Sequence, residues 1–368
     1  MSDRAPHATR ARWLGRAGLA LATSALALGG AEAVLRYRVA TDDAPGSDDD
    51  WRRRYRHMNE AIYRRSDDPA LIYEPRPGAS VEMEYGPAGF DAGGLREDRD
   101  VPRAPREGVV RVAMLGDSLV WSEFLAVHDS VPRRTEEALG AGFEVLNAGV
   151  TGYDTAQEAA WYERAVRPYH PAVVVLVWCM NDLMIMSGPF ERFATPRERA
   201  DKDAQEALME RVAPVRRETI DAVIDARERE ASVLLFARAW GLFERWRFSR
   251  AYVDEYLVAF SEEPRRARVR AALRRLGRAL EADGARGLLV ISPVLEAWDD
   301  YPWRPIHDFV AAAARAAGFT VLDPLDAWRA ASERPEDMRI SGDNLHYDGS
   351  GARALAAAVA PAIRELAR

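Results

Sequence analysis

Three residue types that cooperate in acyl transfer stand in this chain at telling places. Ser118 follows an apolar run and a glycine in Val112-Ala-Met-Leu-Gly-Asp-Ser-Leu-Val-Trp121. A hydroxyl at such a turn is a nucleophile when a base removes its proton, and a plain helix cap otherwise. The base must come from six histidines. His7 lies in a basic N-terminal segment, His57 ahead of the main domain, and His128 ten residues beyond Ser118; His170 and His307 have no paired acid in a turn. His346 has one, since Asp343 precedes it by three residues in Ser341-Gly-Asp-Asn-Leu-His-Tyr-Asp-Gly-Ser350. A carboxylate so placed can accept from one ring nitrogen and leave the other free as a general base; the bland alternative is a histidine in a solvated loop.

Five short apolar runs must position these groups: Val110–Leu115, Phe143–Asn147, Val173–Trp178, Gly287–Ser292 and Thr320–Asp323. Each is bounded by turn residues and reads as a buried strand. Helical segments alternate with them. Ser130 and Pro132 open one, Thr155-Ala-Gln-Glu158 reads as a capping box opening the next, and a last helix carries Leu355, Val359, Ile363 and Leu366 on one face, with Pro361 expected to kink it. This alternation predicts an α/β fold, a parallel sheet with helices on both faces. Loops at the carboxyl ends of such strands are where ligands bind. Ser118 follows the first strand. Asn147-Ala-Gly-Val-Thr-Gly152-Tyr153 follows the second, and Trp178-Cys-Met-Asn181-Asp182 ends the third. Taken singly, the last two also read as ordinary turns.

Together, Gly-Asp-Ser, a glycine, Asn-Asp and Asp-x-x-His occur in a fixed order at successive strand ends. In these residues the chain resembles the GDSL/SGNH hydrolase superfamily, over roughly residues 109–368 less an insertion. The resemblance implies a three-layer α/β/α fold around a five-stranded parallel flavodoxin-like sheet. It implies Ser118 as nucleophile, His346 as base and later acid, and Asp343 as the group orienting it. The oxyanion donors would be the N–H groups of Ser118 and Gly152 and the side-chain amide of Asn181. It also implies an acyl-enzyme formed from a carboxylic ester. Two features depart from the pattern: Cys179 stands where the third block usually has glycine, and Leu119-Val-Trp121 puts an aromatic wall beside the site. The G-x-S-x-G elbow is absent, which disfavours the α/β-hydrolase fold.

The 368 residues are 48% hydrophobic and 30% charged, and a net charge of −7 gives no basic face for nucleic acid. A single cysteine allows no internal disulfide, and no cluster has zinc-like spacing, so neither a metal nor another cofactor is expected. Arg4, Arg10, Arg12 and Arg16 precede an apolar run, Ala17 to Ala31. Residues 1–38 are read as a signal peptide or as an inner-membrane anchor through residues 14–35; either places the bulk of the chain outside the cytoplasm. Residues 39–108 are read as linker and arm, and 109–368 as the catalytic domain with a helical insertion at about 183–285. The insertion's aromatic and leucine stripes, including Phe236, Trp240 and Phe243, are expected to be packing faces. Trp121, Tyr153, Trp298 and Trp303 are candidate substrate contacts, the last two in a loop past the fourth strand.

The expectation is a serine esterase acting outside the cytoplasm on a carbohydrate acetyl ester, a lipid or a small ester. Two other readings share the sequence. One is an O-acyltransferase that hands the same acyl group to a surface polysaccharide. The other is a non-catalytic carbohydrate-binding or assembly protein on the same fold.

Overall fold

The computed structural model describes residues 48–185, 189–212, 255–331, 333–340 and 343–368, with scattered positions at 23–36 and 236–243. Most of the basic and apolar N-terminal stretch lies outside the described residues, as does much of the insertion's middle. The chain divides into two units, Arg54–Val212 with Asp254–Arg368, and Met1–Arg53 with Ala213–Val253. In the second unit the rings of Phe236, Trp240 and Phe243 are exposed, so the expected packing face is open to solvent at these positions. Among the described residues no helix is long and apolar enough to cross a membrane.

In the first unit an arm leads to the main sheet. The helix Asp48–Ile62, which enters this unit at Arg54, is followed by two antiparallel ribbons, β1 (Tyr63–Arg65) with β2 (Tyr73–Pro75) and β3 (Ser80–Met83) with β4 (Gly86–Gly89). Two-stranded ribbons are marginal alone, and these are held by burial of aromatic side chains. Tyr63 meets Tyr73 and Phe90 edge-on, with centroids 5.6 and 5.4 Å apart. Tyr73 also donates its hydroxyl to the Thr151 carbonyl at 2.8 Å, which ties the arm to a loop of the main domain.

The main sheet is parallel, with β5 (Val110–Gly116), β6 (Phe143–Gly149), β7 (Val173–Trp178), β8 (Arg286–Ile291) and β9 (Thr320–Leu322) in the order β6-β5-β7-β8-β9. Both faces are covered, which is why the strands are continuously apolar. Ala113, Leu115, Val174, Leu176, Trp178 and Leu289 pack on one face against the helices Thr155–Trp161, Glu263–Asp283 and Arg304–Ala316. Val112, Met114, Val173, Val175 and Val177 pack on the other against Val131–Leu139 and Gly349–Leu366. The C-terminal helix runs as one element through Pro361.

Two expectations need correction. The cap of the helix Thr155–Trp161 is Asp154 rather than Thr155, and the reciprocal partner is Gln157 rather than Glu158. Asp154 is the better acceptor and reaches two N–H groups, those of Ala156 and Gln157 at 2.9 and 3.0 Å. The helix Glu263–Asp283 belongs to the sheet's own crossover rather than to the insertion. Its Val269, Leu273, Leu276 and Leu280 are buried in the core beside Leu289 of β8.

Candidate active site

Beyond β5 the chain turns directly into a short helix, Ser118–Trp121, capped by Asp117, whose Oδ1 accepts from Leu119 N–H at 2.9 Å. Ser118 is the first helical residue, so its N–H has no carbonyl within the helix to bind. Two glycines let this helix sit tight against the strand ends. A Cβ on Gly149 would lie 2.2 Å from Trp121 N, and one on Gly116 would lie 2.4 Å from Val120 Cγ2.

From the other end of the chain, the loop ahead of the C-terminal helix brings in His346. Asp343 Oδ1 accepts from the backbone N–H groups of Leu345 and His346 at 2.7 and 2.9 Å, which folds the turn. Its Oδ2 lies 2.7 Å from His346 Nδ1, and His346 Nε2 lies 2.8 Å from Ser118 Oγ. In the neutral ring Nδ1–H therefore donates to Asp343 and Nε2 accepts the Ser118 hydroxyl proton. This arrangement can move that proton onto the ring as Oγ attacks a carbonyl carbon.

Of the groups expected to hold the resulting oxyanion, Ser118 and Asn181 share Asp117 as a neighbour, whose Oδ2 lies 3.4 Å from the Ser118 hydroxyl and accepts from the Asn181 amide. Gly152 has φ +76 in the turn after β6, a conformation that favours glycine. That turn is fixed at both ends: Val150 N–H donates to Gly116 O at 3.0 Å, and Thr151 N–H to the Tyr63 hydroxyl at 3.2 Å. Asn181 is buried just past β7, with one amide proton on Asp117 Oδ2 at 2.5 Å. A primary amide has a second N–H to offer. Cys179 also finds its place here. Its φ of −135 is extended backbone that needs no glycine, and its thiol donates to Asn181 Oδ1. That contact fixes which end of the amide faces Asp117.

The sequence matches the family described as GDSL-like Lipase/Acylhydrolase over residues 114–354. The chain belongs to that family. It is a serine ester hydrolase. Solved structures similar to it include TesA, at 14% identity over 70% of this chain and 99% of that one, TM-score 0.40. Axe2, an acetylxylan esterase from Geobacillus stearothermophilus, is 15% identical over 72% of this chain and 97% of its own, TM-score 0.40. An aryl esterase from M. smegmatis is 14% identical over 70% and 100%, TM-score 0.34. Neither substrate nor location follows from these likenesses. No curated protein matches the chain.

The charges around this GDSL-family site are uneven. Burial acts to lower the His346 imidazole, but the hydrogen bond it donates to Asp343 and the charges of Glu123, Asp343 and Asp117 outweigh it and push it up to about 9. Burial would raise the Asp343 carboxyl, yet the hydrogen bond and charge of His346 and the two backbone donors hold it down at about 2. Burial and neighbouring acids, Asp117 among them, raise Asp182 and Glu158, and both Glu158 oxygens lack hydrogen-bond partners.

The aromatic residues expected to touch substrate lie elsewhere. Trp121, Tyr153, Trp298 and Trp303 are buried, at 0, 1, 5 and 4% exposure. Trp121 lies under the Arg96 guanidinium, 4.3 Å from ring centroid to Cζ, and Tyr153 donates to Tyr73 O at 2.6 Å. Trp298 donates to Val294 O at 2.8 Å, and Trp303 packs on Tyr301. Position at the sheet's carboxyl edge says where a loop lies and not which way its rings turn, and these rings turn inward to cover the core. Sequence reasoning passed over the residues that do surround His346, above all Glu123 and Phe124, whose ring meets the imidazole edge-on at 5.5 Å. Among the described residues no group of three or more His, Cys, Asp or Glu could hold a metal ion.

Proposed function

We propose that this serine ester hydrolase removes small acyl groups, acetyl above all, from a carbohydrate outside the cytoplasm, with Ser118 as nucleophile, His346 as base and Asp343 as its orienting partner. The observation that carries the chemistry is the continuous line Ser118 Oγ, His346, Asp343 at 2.8 and 2.7 Å. Ser118 attacks the ester carbonyl and its proton passes to Nε2. The alcohol leaves with that proton, and water, deprotonated by the same ring, releases the acid. The N–H groups of Ser118 and Gly152 and the Asn181 amide receive the oxyanion.

Two features support the finer reading. Ser118 and Asn181 are only 6 and 5% exposed, so the ester carbonyl must enter a recess to meet them, which favours a small acyl group. The arginines ahead of Ala17–Ala31 favour export, and O-acetyl groups on polysaccharide are small esters available there. The test is the full chain with p-nitrophenyl acetate, butyrate and octanoate, then with an acetylated oligosaccharide, following acetate release. Expected are turnover falling steeply with chain length and acetate released from the oligosaccharide. Preference for octanoate, or acetyl esterase activity with no acetate from any acetylated glycan, would overturn the finer reading and leave the serine mechanism standing.

A further inference from the structure

The carboxylate of Glu123 has no part in the chemistry above, yet it stands against the base. It is 3% exposed, and its Oε2 lies 3.8 Å from His346 Nε2, the nitrogen that meets Ser118. The backbone around it is tightly held. Glu123 N–H donates to Ser118 O at 3.0 Å, and its neighbours Ser122 and Phe124 occupy the left-handed region at φ 58 and 70. Such residues persist where surroundings over-determine them. Here Arg96 supplies the restraint, donating to the carbonyls of Trp121, Ser122 and Leu125.

The arm reaches the carboxylate as well. Tyr55 donates its hydroxyl to Glu123, while Oε1 has no hydrogen-bond partner. The titratable and charged groups facing Glu123 are His346, Tyr55, Asp117, Arg96 and the phenols of Tyr63 and Tyr85; those facing His346 are Asp343, Glu123 and Asp117. A buried carboxylate needs a cation nearby. Arg96 gives its Nη groups to backbone carbonyls and acts on Glu123 through its charge, more weakly than the His346 ring, which lies 3.8 Å from the carboxylate.

We propose that Glu123 is a positioning residue of the hydrolytic site, its carboxylate acting as the second counter-ion of the His346 imidazolium, flanking Nε2 as Asp343 flanks Nδ1. The inference rests on the reading of His346 as the base. The imidazolium forms when Ser118 gives up its proton, so a carboxylate at Nε2 favours the acylation transition state. The same charge holds a proton on the resting ring to higher pH, so the base is stronger and is free only in alkaline solution. Burial pushes Glu123 itself up to about 7, against the pull of His346 and Tyr55. Glu123 is therefore ionised over the range in which His346 loses its proton.

The experiment is an NMR titration of the imidazole nitrogens in the full chain labelled with ¹⁵N-histidine, the His346 signal being assigned by its loss in His346→Gln. Glu123→Gln should lower the His346 midpoint by about one pH unit or more, a tenfold change in proton affinity. The acid limb of kcat/KM should move down equally, while the alkaline plateau falls. An unchanged midpoint in folded Glu123→Gln overturns the inference. Should that variant fail to fold, Tyr55→Phe serves: losing the hydroxyl makes Glu123 harder to ionise, so the midpoint falls by less in the same direction, and no change overturns the inference. A parent that hydrolyses no ester while its His346 midpoint still depends on Glu123 sinks the proposed function and leaves the ion pairing in place.

Discussion

Asp343, His346 and Ser118 have a near copy in Asp323, His307 and Tyr301. In the second set Asp323 Oδ2 lies 2.7 Å from His307 Nδ1, and His307 Nε2 lies 2.9 Å from the Tyr301 hydroxyl. The first set has 2.7 and 2.8 Å for the same contacts. The surroundings differ. The His307 side chain is 1% exposed against 19% for His346. The Tyr301 hydroxyl oxygen accepts the Val294 N–H at 2.9 Å, and burial pushes its phenol far above the usual range. Arg304 adds a guanidinium at 3.1 Å from Asp323. Each group in that set already has its partner, so the network holds a loop in place. Around Ser118 stand a helix N-terminus and the Asn181 amide, the groups expected to receive the charge that a substrate brings. A hydrogen-bonded Asp–His–hydroxyl line thus does not define an active site until its surroundings are counted.

That contrast can be broken by mutation. Ser118→Ala and His346→Ala should each lower kcat on the order of 10⁴-fold or more while the thermal midpoint stays near the parent's. Asp343→Asn should cost less than losing the nucleophile, because it disturbs tautomer and orientation only. Asn181→Ala should lower kcat by roughly 100–1000-fold if its free amide proton meets the oxyanion; parental activity there would remove Asn181 from the site. The pH profile comes next. With His346 pushed up to about 9, its neutral fraction rises with pH, so kcat/KM should climb about tenfold per pH unit below that value and level off above it. A limb near the ordinary histidine range would show that the two carboxylates do not act on the ring.

In the copy the effects move from rate to stability. His307→Ala strands Asp323 and the Tyr301 hydroxyl and should cost about 2–4 kcal/mol in urea denaturation, with turnover per folded molecule unchanged. Tyr301→Phe should cost about 1–2 kcal/mol, since the Val294 N–H loses its acceptor. A large fall in kcat with either variant would mean that the two networks are not separate in function.

Much of this was legible before any coordinates. The five strands lie within two residues of their expected ends, because apolar runs bounded by turn residues leave little freedom. The pair Asp343 and His346 was legible because both sit in one turn. Glu123 was not: its partners Tyr55, Arg96 and His346 come from distant parts of the chain, and a glutamate five residues past a nucleophile has no pattern of its own. The Asp323–His307 pair was hidden for the same reason, sixteen residues apart across a helix and a strand. The aromatic cluster misled because loop position does not report burial. The leucine spacing of the helix Glu263–Asp283 shows that it packs but not on what, so its place against the sheet is not legible in the sequence.

The most direct test of the central claim is intact-mass and peptide mapping of the parent and of Ser118→Ala after exposure to a serine-reactive fluorophosphonate, alongside p-nitrophenyl acetate turnover. Expected is one adduct per chain, on Ser118, with loss of turnover in step with labelling and neither in the variant. An adduct on another residue that abolishes turnover, or turnover that survives in Ser118→Ala, would contradict the assignment of Ser118 as nucleophile.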